Sequence, residues 1–271
     1  MSSRPSVRAA LDLRRRGGKA FVPFLTAGYP DWETCERAIT LLAACGADAI
    51  ELGVPFSDPL ADGPTIQASS QRALEAGVSL EQILSRMESA PERYPLPIVL
   101  MSYANPIVTF GVTRFCARAE QARVAGVLLS DLPPEELPEL WREVRESGLE
   151  TAVLVAPTTA SARIPSLAAA ATGYLYLITR TGVTGQGGEF ASNLVTQVSL
   201  IRRSTDAPII AGFGIRTPED AARLGAEMDG VIVGARIIEI LSQPVESALT
   251  ELERFARGVR AALDTSGQAT S

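Results

Sequence analysis

The sequence predicts a single (β/α)8 barrel of the TIM-barrel class, an α/β fold with an extra N-terminal helix and extra loop helices. Three observations support this prediction. Eight short apolar runs alternate with helical patterns along the whole chain. The runs are almost continuously apolar, as expected of parallel strands that are buried on both faces of their sheet. The chain has 271 residues, which is close to the usual size of such a barrel.

The competing architecture is an open, doubly wound parallel sheet. No Gly-x-Gly-x-x-Gly motif follows the first predicted strand, which disfavours that alternative. No linker or change of composition interrupts the chain. We therefore expect one domain over residues 1–271, with a frayed polar tail over residues 265–271.

The predicted strands are apolar runs that each end in residues typical of turns. They are Ala20–Thr26, Asp48–Leu52, Pro97–Ser102, Gly126–Ser130, Thr151–Val155, Tyr174–Thr179, Pro208–Ala211 and Gly230–Val233. A short helix is expected before the first strand, because Val7, Ala10 and Leu11 fall on one helical face and would close the barrel floor.

The remaining helices are predicted from helical periodicity after each strand, and Asp31 is the expected N-cap of the first of them. They span Asp31 to about Cys45, Thr65–Ala76, Ser79–Glu88, Val112–Arg123, Glu135–Ser147, Ser161–Ala170, Ser192–Arg203, Pro218–Gly225, and a long final helix that reaches about Leu263.

Composition and charge exclude several classes of function. The net charge of −6 argues against nucleic acid as a general partner. No apolar run approaches the roughly 20 residues that a membrane span needs, and residues 1–16 lack an apolar core for export. Cys35, Cys45 and Cys116 match no metal or redox spacing and are expected to be buried thiols. We therefore expect a cytoplasmic protein without a membrane partner.

The chain also lacks the residues that most often carry proton transfer or bind metals. It contains no histidine. Its single lysine, Lys19, lies before the first strand, at the end of the barrel opposite to the usual active site. Any chemistry must therefore rely on carboxylates, tyrosines, arginines, thiols or backbone amides.

The run from Glu51 to Gln67 carries the strongest functional signal. Glu51 ends the second predicted strand, and Asp62 lies in the long loop that follows. The simpler interpretation is an Asx turn at Asp62 and a capped strand end at Glu51. Barrel enzymes place their active sites at the C-terminal ends of the strands, so a catalytic pair is favoured here. Other polar residues at or near strand ends are Tyr103, Asp131 and Tyr176.

Three glycine-containing turns follow the last three strands. They are Thr184-Gly185, Gly212-Phe213-Gly214-Ile215 and Gly234-Ala235. Each is weak evidence alone, because turns need glycine for steric reasons. In such barrels the loops after the seventh and eighth strands frequently bind phosphate. Together they predict a phosphorylated ligand.

The chain resembles the tryptophan synthase alpha subunit family, which are indole-3-glycerol-phosphate lyases. The resemblance covers nearly the whole length as far as Gly234, and the run from Glu51 to Gln67 is its most specific part. The other matching segments are Ala20–Phe24, Ala27–Pro30, Met101–Pro106, Thr181–Gly185 and Gly212–Ile215.

The resemblance implies a retro-aldol cleavage of indole-3-glycerol phosphate to indole and glyceraldehyde 3-phosphate, without metal or Schiff base. It implies that Glu51 is the general acid and base, that Asp62 accepts the indole N–H, and that Tyr176 contacts the reacting end. It also implies that Tyr103 binds substrate and that Thr184 anchors the sixth loop by contacting Asp62. The apolar wall around the indole would consist of Phe24, Met101, Leu128, Val155 and Phe213. The phosphate cradle would consist of Gly185, Gly214, Ile215, Gly234 and Ala235.

The resemblance also implies a partner. The chain would have no cofactor of its own, and would dock on a tryptophan synthase beta subunit that carries pyridoxal phosphate, giving a heterotetramer. The expected docking surface is the rim with Phe56, Pro59 and Leu60, together with Asn105–Ile107.

Two features depart from the family pattern. The family usually has Ser where this chain has Ala235, and a small residue at Arg236, so Arg236 is a candidate to replace the missing phosphate contact. The segment Gln186–Phe190 also lacks the residues most often seen there. Its departure bears on loop closure and substrate affinity.

Three alternative functions remain open. The chain could be a stand-alone lyase that releases free indole, or a catalytically silent protein that only activates a beta subunit. The presence of both Glu51 and Asp62 disfavours the silent protein. An unrelated phosphate-binding isomerase barrel would not explain the match from Glu51 to Gln67.

Overall fold

The computed structural model of the chain describes residues 4–15, 17–179, 187–212 and 214–268. Eight parallel strands form a closed barrel in sequence order, and the eighth pairs with the first. The strands are β1 (Ala20–Thr26), β2 (Ile50–Gly53), β3 (Ile98–Ser102), β4 (Gly126–Leu129), β5 (Glu150–Val155), β6 (Tyr174–Ile178), β7 (Ile209–Gly212) and β8 (Gly230–Val233). The predicted fold class is therefore confirmed.

Helices surround the barrel on the outside. In the described part of the chain they are α1 (Val7–Arg15), α2 (Trp32–Ala44), α3 (Pro64–Glu75), α4 (Leu80–Ser89), α5 (Ala104–Phe110), α6 (Val112–Gln121), α7 (Pro138–Glu146), α8 (Ile164–Ala170), α9 (Gly187–Ser204), α10 (Pro218–Glu227), α11 (Ala235–Leu241) and α12 (Val245–Gln268). Asp31 caps α2 as predicted, because its Oδ1 accepts the Thr34 N–H at 2.8 Å.

The strands are buried on both faces, which explains their almost continuous apolar sequence. Every residue of β1, β2, β4, β7 and β8 is buried. One face of each strand points into the barrel and the other packs against the helices, so neither face can be polar without a compensating partner.

Several helices differ from the predictions. The turn after β3 contains α5, which was not predicted; its Pro106 lies in the first turn, where a helix tolerates proline. Helix α7 begins at Pro138 rather than at Glu135, and α9 begins at Gly187. The single long final helix is two helices, since Pro244 lies between α11 and α12. Helix α12 also continues to Gln268, past the predicted end at Leu263.

The floor of the barrel is closed by α1 and by charged residues at the strand starts. Val7 and Leu11 of α1 are buried. Lys19 donates from Nζ to the carbonyl of Met228 at 2.8 Å. Asp48 accepts the Phe21 N–H at 2.9 Å and forms ion pairs with Arg14 and Arg260. The lysine is therefore a floor residue, as its position before β1 predicts.

The structure also places the cysteines and bears on membrane crossing. Cys35, Cys45 and Cys116 are buried free thiols, as expected. Among the residues described here, no helix is both long and apolar enough to cross a membrane.

Candidate active site

A cavity of about 270 Å³ opens at the C-terminal ends of the strands, where the barrel class places its active sites. Many of the predicted site residues line it. They are Phe24, Glu51, Asp62, Met101, Tyr176, Gly214, Ile215, Gly234 and Ala235. The closed barrel therefore brings together residues from distant parts of the chain.

Glu51 is fully buried on β2 and faces this cavity. The Tyr174 hydroxyl donates a hydrogen bond to its Oε1, whereas its Oε2 has no hydrogen-bond partner among the described residues. Burial raises the pKa of Glu51 to about 7, because it outweighs the opposing effect of the Tyr174 hydrogen bond. At neutral pH this carboxyl can both donate and accept a proton.

Asp62 is held over the cavity by the β2–α3 loop. The Gln67 side chain donates to the Asp62 carbonyl at 2.8 Å, and the Tyr103 hydroxyl accepts the Ala61 N–H at 2.9 Å. Burial raises the pKa of Asp62 to about 6, partly offset by a hydrogen bond from Tyr103. At neutral pH Asp62 is therefore mostly ionised, in contrast to Glu51.

Tyr176 lies on β6 and lines the same cavity as the two acids. Burial raises the pKa of its hydroxyl well above the usual value, and the charges of Glu51 and Asp62 act in the same direction. Its hydroxyl is consequently a proton-bearing hydrogen-bond donor. A Cβ on Gly212 would lie 2.1 Å from this hydroxyl oxygen, so the neighbouring strand needs glycine to leave room for the ring.

Another part of the mouth is built from the turns after β7 and β8. Gly214 has a φ of +79°, a left-handed conformation that favours glycine. Gly234 caps α11 without a side-chain hydrogen bond, and Ala235 offers no hydroxyl group. Arg216 also lines the cavity here, and its guanidinium donates to Glu239 at 2.8 Å. This corner of the cavity, which we call the phosphate corner, is therefore lined by small or apolar residues and one arginine.

Arg236 does not take the predicted place at the cavity. Its guanidinium donates to Glu251 of α12 at 2.5 Å, and a second nitrogen lies 3.6 Å from Glu239. It is absent from the cavity lining, where Arg216 is present. The suggestion that Arg236 replaces the missing serine contact is therefore wrong for this structure, because the side chain points to the helix layer.

Two residues of the predicted apolar wall do not line the cavity. Val155 pairs with Leu177, and the preceding Leu154 pairs with Tyr176 and lines the cavity instead. Successive residues of a strand point to opposite faces, so the prediction chose the outward-facing neighbour. Leu128 is buried beside its register partner Met101 but is not part of the lining.

The other predicted residues have different outcomes. Tyr103 does not line the cavity but holds the Asp62 loop, and Phe56 packs on its ring at a centroid distance of 5.1 Å. Asp131 accepts the Ala104 N–H at 2.8 Å at the start of α5. Thr184, Gly185, Gln186 and Phe213 lie outside the residues whose placement is described, whereas Gly187–Phe190 form the start of α9.

Several residues of the candidate site were not predicted from the sequence. Tyr174 is the partner of Glu51, and its position two residues before Tyr176 on the same strand was the available signal, because such residues share a face. Other lining residues that were not predicted are Ile66, Ser130, Leu154, Ile178, Arg216 and Ile232.

The fold and the site define an enzyme of the TIM-barrel class, with one fully buried carboxyl group, Glu51, and one partly buried carboxyl group, Asp62, at its mouth. In the described ranges, no group of three or more His, Cys, Asp or Glu side chains could hold a metal ion. The titratable groups at the cavity are Glu51, Asp62 and Tyr176.

The chain belongs to the tryptophan synthase alpha chain family, whose sequence model matches residues 11–265. Members of this family cleave indole-3-glycerol phosphate to indole and glyceraldehyde 3-phosphate in tryptophan biosynthesis, and pyridoxal phosphate is carried by the beta subunit. The tryptophan synthase alpha chain of Geobacter sulfurreducens is 44% identical over 253 residues, which cover 93% of this chain and 96% of the relative.

Solved structures agree with this assignment. Tryptophan synthase subunit alpha from Legionella pneumophila superposes with a TM-score of 0.85 at 33% identity, covering 98% of this chain and 100% of the other. An aminoacrylate-bound tryptophan synthase from Mycobacterium tuberculosis gives a TM-score of 0.83 at 28% identity, covering 97% and 100% of the two chains.

Proposed function

We propose that this chain cleaves indole-3-glycerol phosphate by a retro-aldol reaction in which Glu51 transfers both protons. The observation that carries the proposal is the Glu51 carboxyl itself. It is fully buried, its pKa is raised to about 7, and its Oε2 lacks a partner in the described part of the chain while the residue lines the cavity. A buried acid with a free oxygen at a cavity is available for proton transfer.

Glu51 alone can account for both proton transfers of the reaction. Protonated Glu51 gives its proton to C3 of the indole ring, which leaves a positive charge on the ring nitrogen. The resulting carboxylate then removes the proton of the neighbouring alcohol. The carbon–carbon bond breaks, its electron pair returns to the ring, and the products are indole and an aldehyde. Glu51 ends protonated, as it began.

Asp62 can stabilise the positive charge that forms on the indole ring between these two proton transfers. Its pKa of about 6 keeps it ionised at neutral pH, so it can accept the indole N–H and stabilise the cationic ring. Tyr176 lies near both acids and can donate its hydroxyl proton in a hydrogen bond to the reacting alcohol side. The two carboxylates would thus take different roles because their surroundings differ.

The phosphate of the substrate fits the corner formed by Gly214, Ile215, Gly234 and Ala235. Glycine lets backbone N–H groups approach the anion closely. Because Ala235 cannot donate from a side chain, the Arg216 guanidinium is our candidate for the remaining contact. It lines the cavity, whereas Arg236 is engaged by Glu251.

The partner proposed for this chain is a tryptophan synthase beta subunit that carries pyridoxal phosphate, in a cytoplasmic heterotetramer. Leu60 of the Asp62 loop is 93% exposed, and Val108 of α5 is 50% exposed on the same mouth. Ile107, which was predicted to be part of this rim, is instead buried in the core. Exposed large apolar side chains beside an active site support a docking surface there.

The reaction is tested by following indole release from indole-3-glycerol phosphate, first by the chain alone and then with increasing amounts of the beta subunit. Because coupling between subunits is typically about 1–3 kcal/mol, we expect the partner to raise turnover about 5- to 150-fold. High activity alone, with no complex at micromolar concentration, would favour the stand-alone lyase. Activation of the beta subunit with no indole release would favour the silent activator.

The docking surface is tested by Leu60→Ser, with Leu13→Ser as the matched control. Leu13 is also exposed, at 72%, but lies on α1 at the barrel floor. We expect Leu60→Ser to weaken binding of the beta subunit on a sizing column and Leu13→Ser to leave it unchanged. Equal effects of the two substitutions would contradict docking at the mouth.

A further inference from the structure

Ser130 places an unsatisfied hydroxyl group in the wall of the active-site cavity. Its Oγ is buried and has no hydrogen-bond partner among the described residues. Its N–H donates to the Ser102 carbonyl at 2.9 Å, which extends the pairing of β3 and β4 by one residue. A buried hydroxyl without a partner is costly, so it calls for a ligand or another explanation.

The strand pattern explains why this hydroxyl faces the cavity. Leu128 pairs with Met101, which lines the cavity, and Ser130 is two residues further on the same chain. Residues i and i+2 of an extended chain share a face. Ser130 therefore stands above Leu128 on the inner side of the barrel.

The position of Ser130 relative to the phosphate corner follows from barrel closure. Gly234 follows β8, and in a closed eight-stranded barrel β4 lies four strands away, on the opposite side. A substrate that binds with its phosphate at Gly214 and Gly234 and crosses the mouth would extend its other end toward β4 and β5. The other lining residues near that end, Met101 and Leu154, are apolar and suit an aromatic ring.

A second cavity of about 230 Å³ lies directly behind this wall. Ser130, Leu154 and Ile178 line both cavities and so form the partition between them. Extra atoms in a tightly packed pocket are destabilising, because the neighbouring side chains cannot move away. Here the partition has space behind it, so an additional substituent on the bound ring can be accommodated.

We propose that Ser130 makes this enzyme accept indole rings that carry a polar substituent, such as a hydroxyl or amino group on the six-membered ring. The substituent would form a hydrogen bond with Ser130 Oγ, and the cavity behind the partition would supply the room. Ser130 is then a specificity-determining residue. The inference rests on the proposed lyase function and extends it to a further class of substrate.

The test uses the reverse reaction, the condensation of an indole with glyceraldehyde 3-phosphate. The new bond joins indole C3 to the aldehyde carbon, C3 loses its proton, and the aldehyde oxygen gains one. Hydroxyindoles and methylindoles are compared at each hydrogen-bearing carbon of the six-membered ring. The two substituents are similar in size, so the ratio of their kcat/KM values isolates the hydrogen bond.

We expect the hydroxyl-to-methyl ratio of the wild-type protein to be highest at one ring position. Ser130→Ala should lower that ratio about 2- to 12-fold, as expected for one neutral hydrogen bond, and Ser130→Thr should retain most of it. Ser102→Ala is the matched control. Its Oγ donates to the Tyr103 carbonyl at 2.9 Å, and it does not line the cavity, so the ratio should not change.

The outcomes separate this inference from the function on which it rests. If the wild-type protein does not condense unsubstituted indole, the lyase function fails and this inference fails with it. If indole is condensed but Ser130→Ala leaves the ratio unchanged at every ring position, the function stands and the role of Ser130 is overturned. An equal drop in Ser102→Ala would also overturn it.

Discussion

Buried carboxyl groups at the two ends of the barrel have different partners. At the floor, Asp229 forms a two-point ion pair with Arg202 at 2.6 and 2.7 Å and accepts the Ile209 N–H at 2.8 Å. At the mouth, Glu51 has one tyrosine hydroxyl and no arginine, and its Oε2 is unpaired among the described residues. Both acids are largely removed from water, but only one of them is compensated.

This difference separates stability from chemistry. A buried carboxylate held by arginine and backbone N–H groups ties chain segments together through charge-assisted hydrogen bonds. A buried carboxyl without a cation keeps a pKa near neutrality and can exchange protons with a ligand. In the TIM-barrel class the floor serves stability and the mouth serves catalysis, and the charge pairing found here follows that division.

The largest expected effect is the loss of turnover in Glu51→Gln. Loss of a general acid–base group costs about 10²–10⁴-fold, and we expect the upper end because Glu51 serves in two transfers. The fold should remain intact. Because the pKa of Glu51 is raised from 4.5 to about 7 in the folded state, folding stability falls as pH rises through this window, where the unfolded state ionises Glu51 and the folded state keeps it protonated. The variant has no such ionisable group, so it should be at least as stable as wild type at pH 8.

Steady-state cleavage of indole-3-glycerol phosphate and urea unfolding at pH 8 measure these two effects. A Glu51→Gln protein that keeps a tenth of the wild-type rate would show that this mechanism is wrong. A large loss of stability would show that Glu51 belongs with the floor residues.

The reciprocal change, Asp229→Asn, should affect stability rather than chemistry. Breaking a buried ion pair costs about 3–5 kcal/mol, and Arg202 is partly exposed, so we expect about 2–4 kcal/mol. The free energy of unfolding in urea measures this cost. At a temperature where the variant remains folded, kcat should stay within about threefold of wild type. A loss of turnover comparable to that of Glu51→Gln would contradict the division between the two ends.

The pH dependence of kcat/KM distinguishes the roles of Asp62 and Glu51 at the mouth. Cleavage needs Asp62 ionised and Glu51 protonated, so the rate should rise as Asp62 loses its proton near pH 6 and fall as Glu51 loses its proton near pH 7. Tyr174 donates to Glu51 and thereby stabilises the ionised carboxylate. Tyr174→Phe should raise the pKa of Glu51 and move the alkaline limb to higher pH.

Tyr103→Phe is the matched variant for the other acid. It removes the hydrogen bond to Asp62, raises the pKa of that carboxyl, and should move the acidic limb to higher pH. If Tyr174→Phe moved the acidic limb instead, the assignment of the two limbs would be reversed.

The smallest expected effect is on phosphate affinity, and it compares two arginines, Arg216 and Arg236. Arg216 faces the cavity and is 60% exposed, whereas Arg236 is engaged by Glu251. Arg216→Met should weaken binding of glycerol 3-phosphate about 3- to 10-fold. A hydrogen bond to a charged group is worth about 1.5–3 kcal/mol, and solvent screening at an exposed site reduces it. Calorimetry measures this affinity.

Two further variants complete the calorimetric series. Arg236→Met is the control and should leave the affinity unchanged. Glu239→Gln should strengthen binding in the wild-type background, because it frees Arg216, but not in the Arg216→Met background. A loss of affinity in Arg236→Met alone would restore the role first suggested for Arg236.

The sequence by itself determined the fold class and the two acids. Eight apolar runs alternating with helices leave few arrangements that bury both faces of every strand, and the closed barrel is the one adopted. Glu51 and Asp62 could be found because the barrel rule assigns strand ends to the active site. Signals of this kind depend only on residues that are close in the sequence, so they can be recognised without knowledge of distant contacts.

The tertiary structure alone decided which side chains complete the site. Tyr174 meets Glu51 across the barrel although 123 positions separate them in the chain. Leu154 rather than Val155 lines the cavity because the register with Tyr176 fixes which face points inward. Arg216 rather than Arg236 reaches the cavity because Glu251 of the last helix holds Arg236. Each outcome depends on barrel closure and strand register, which set contacts between residues that no local pattern relates.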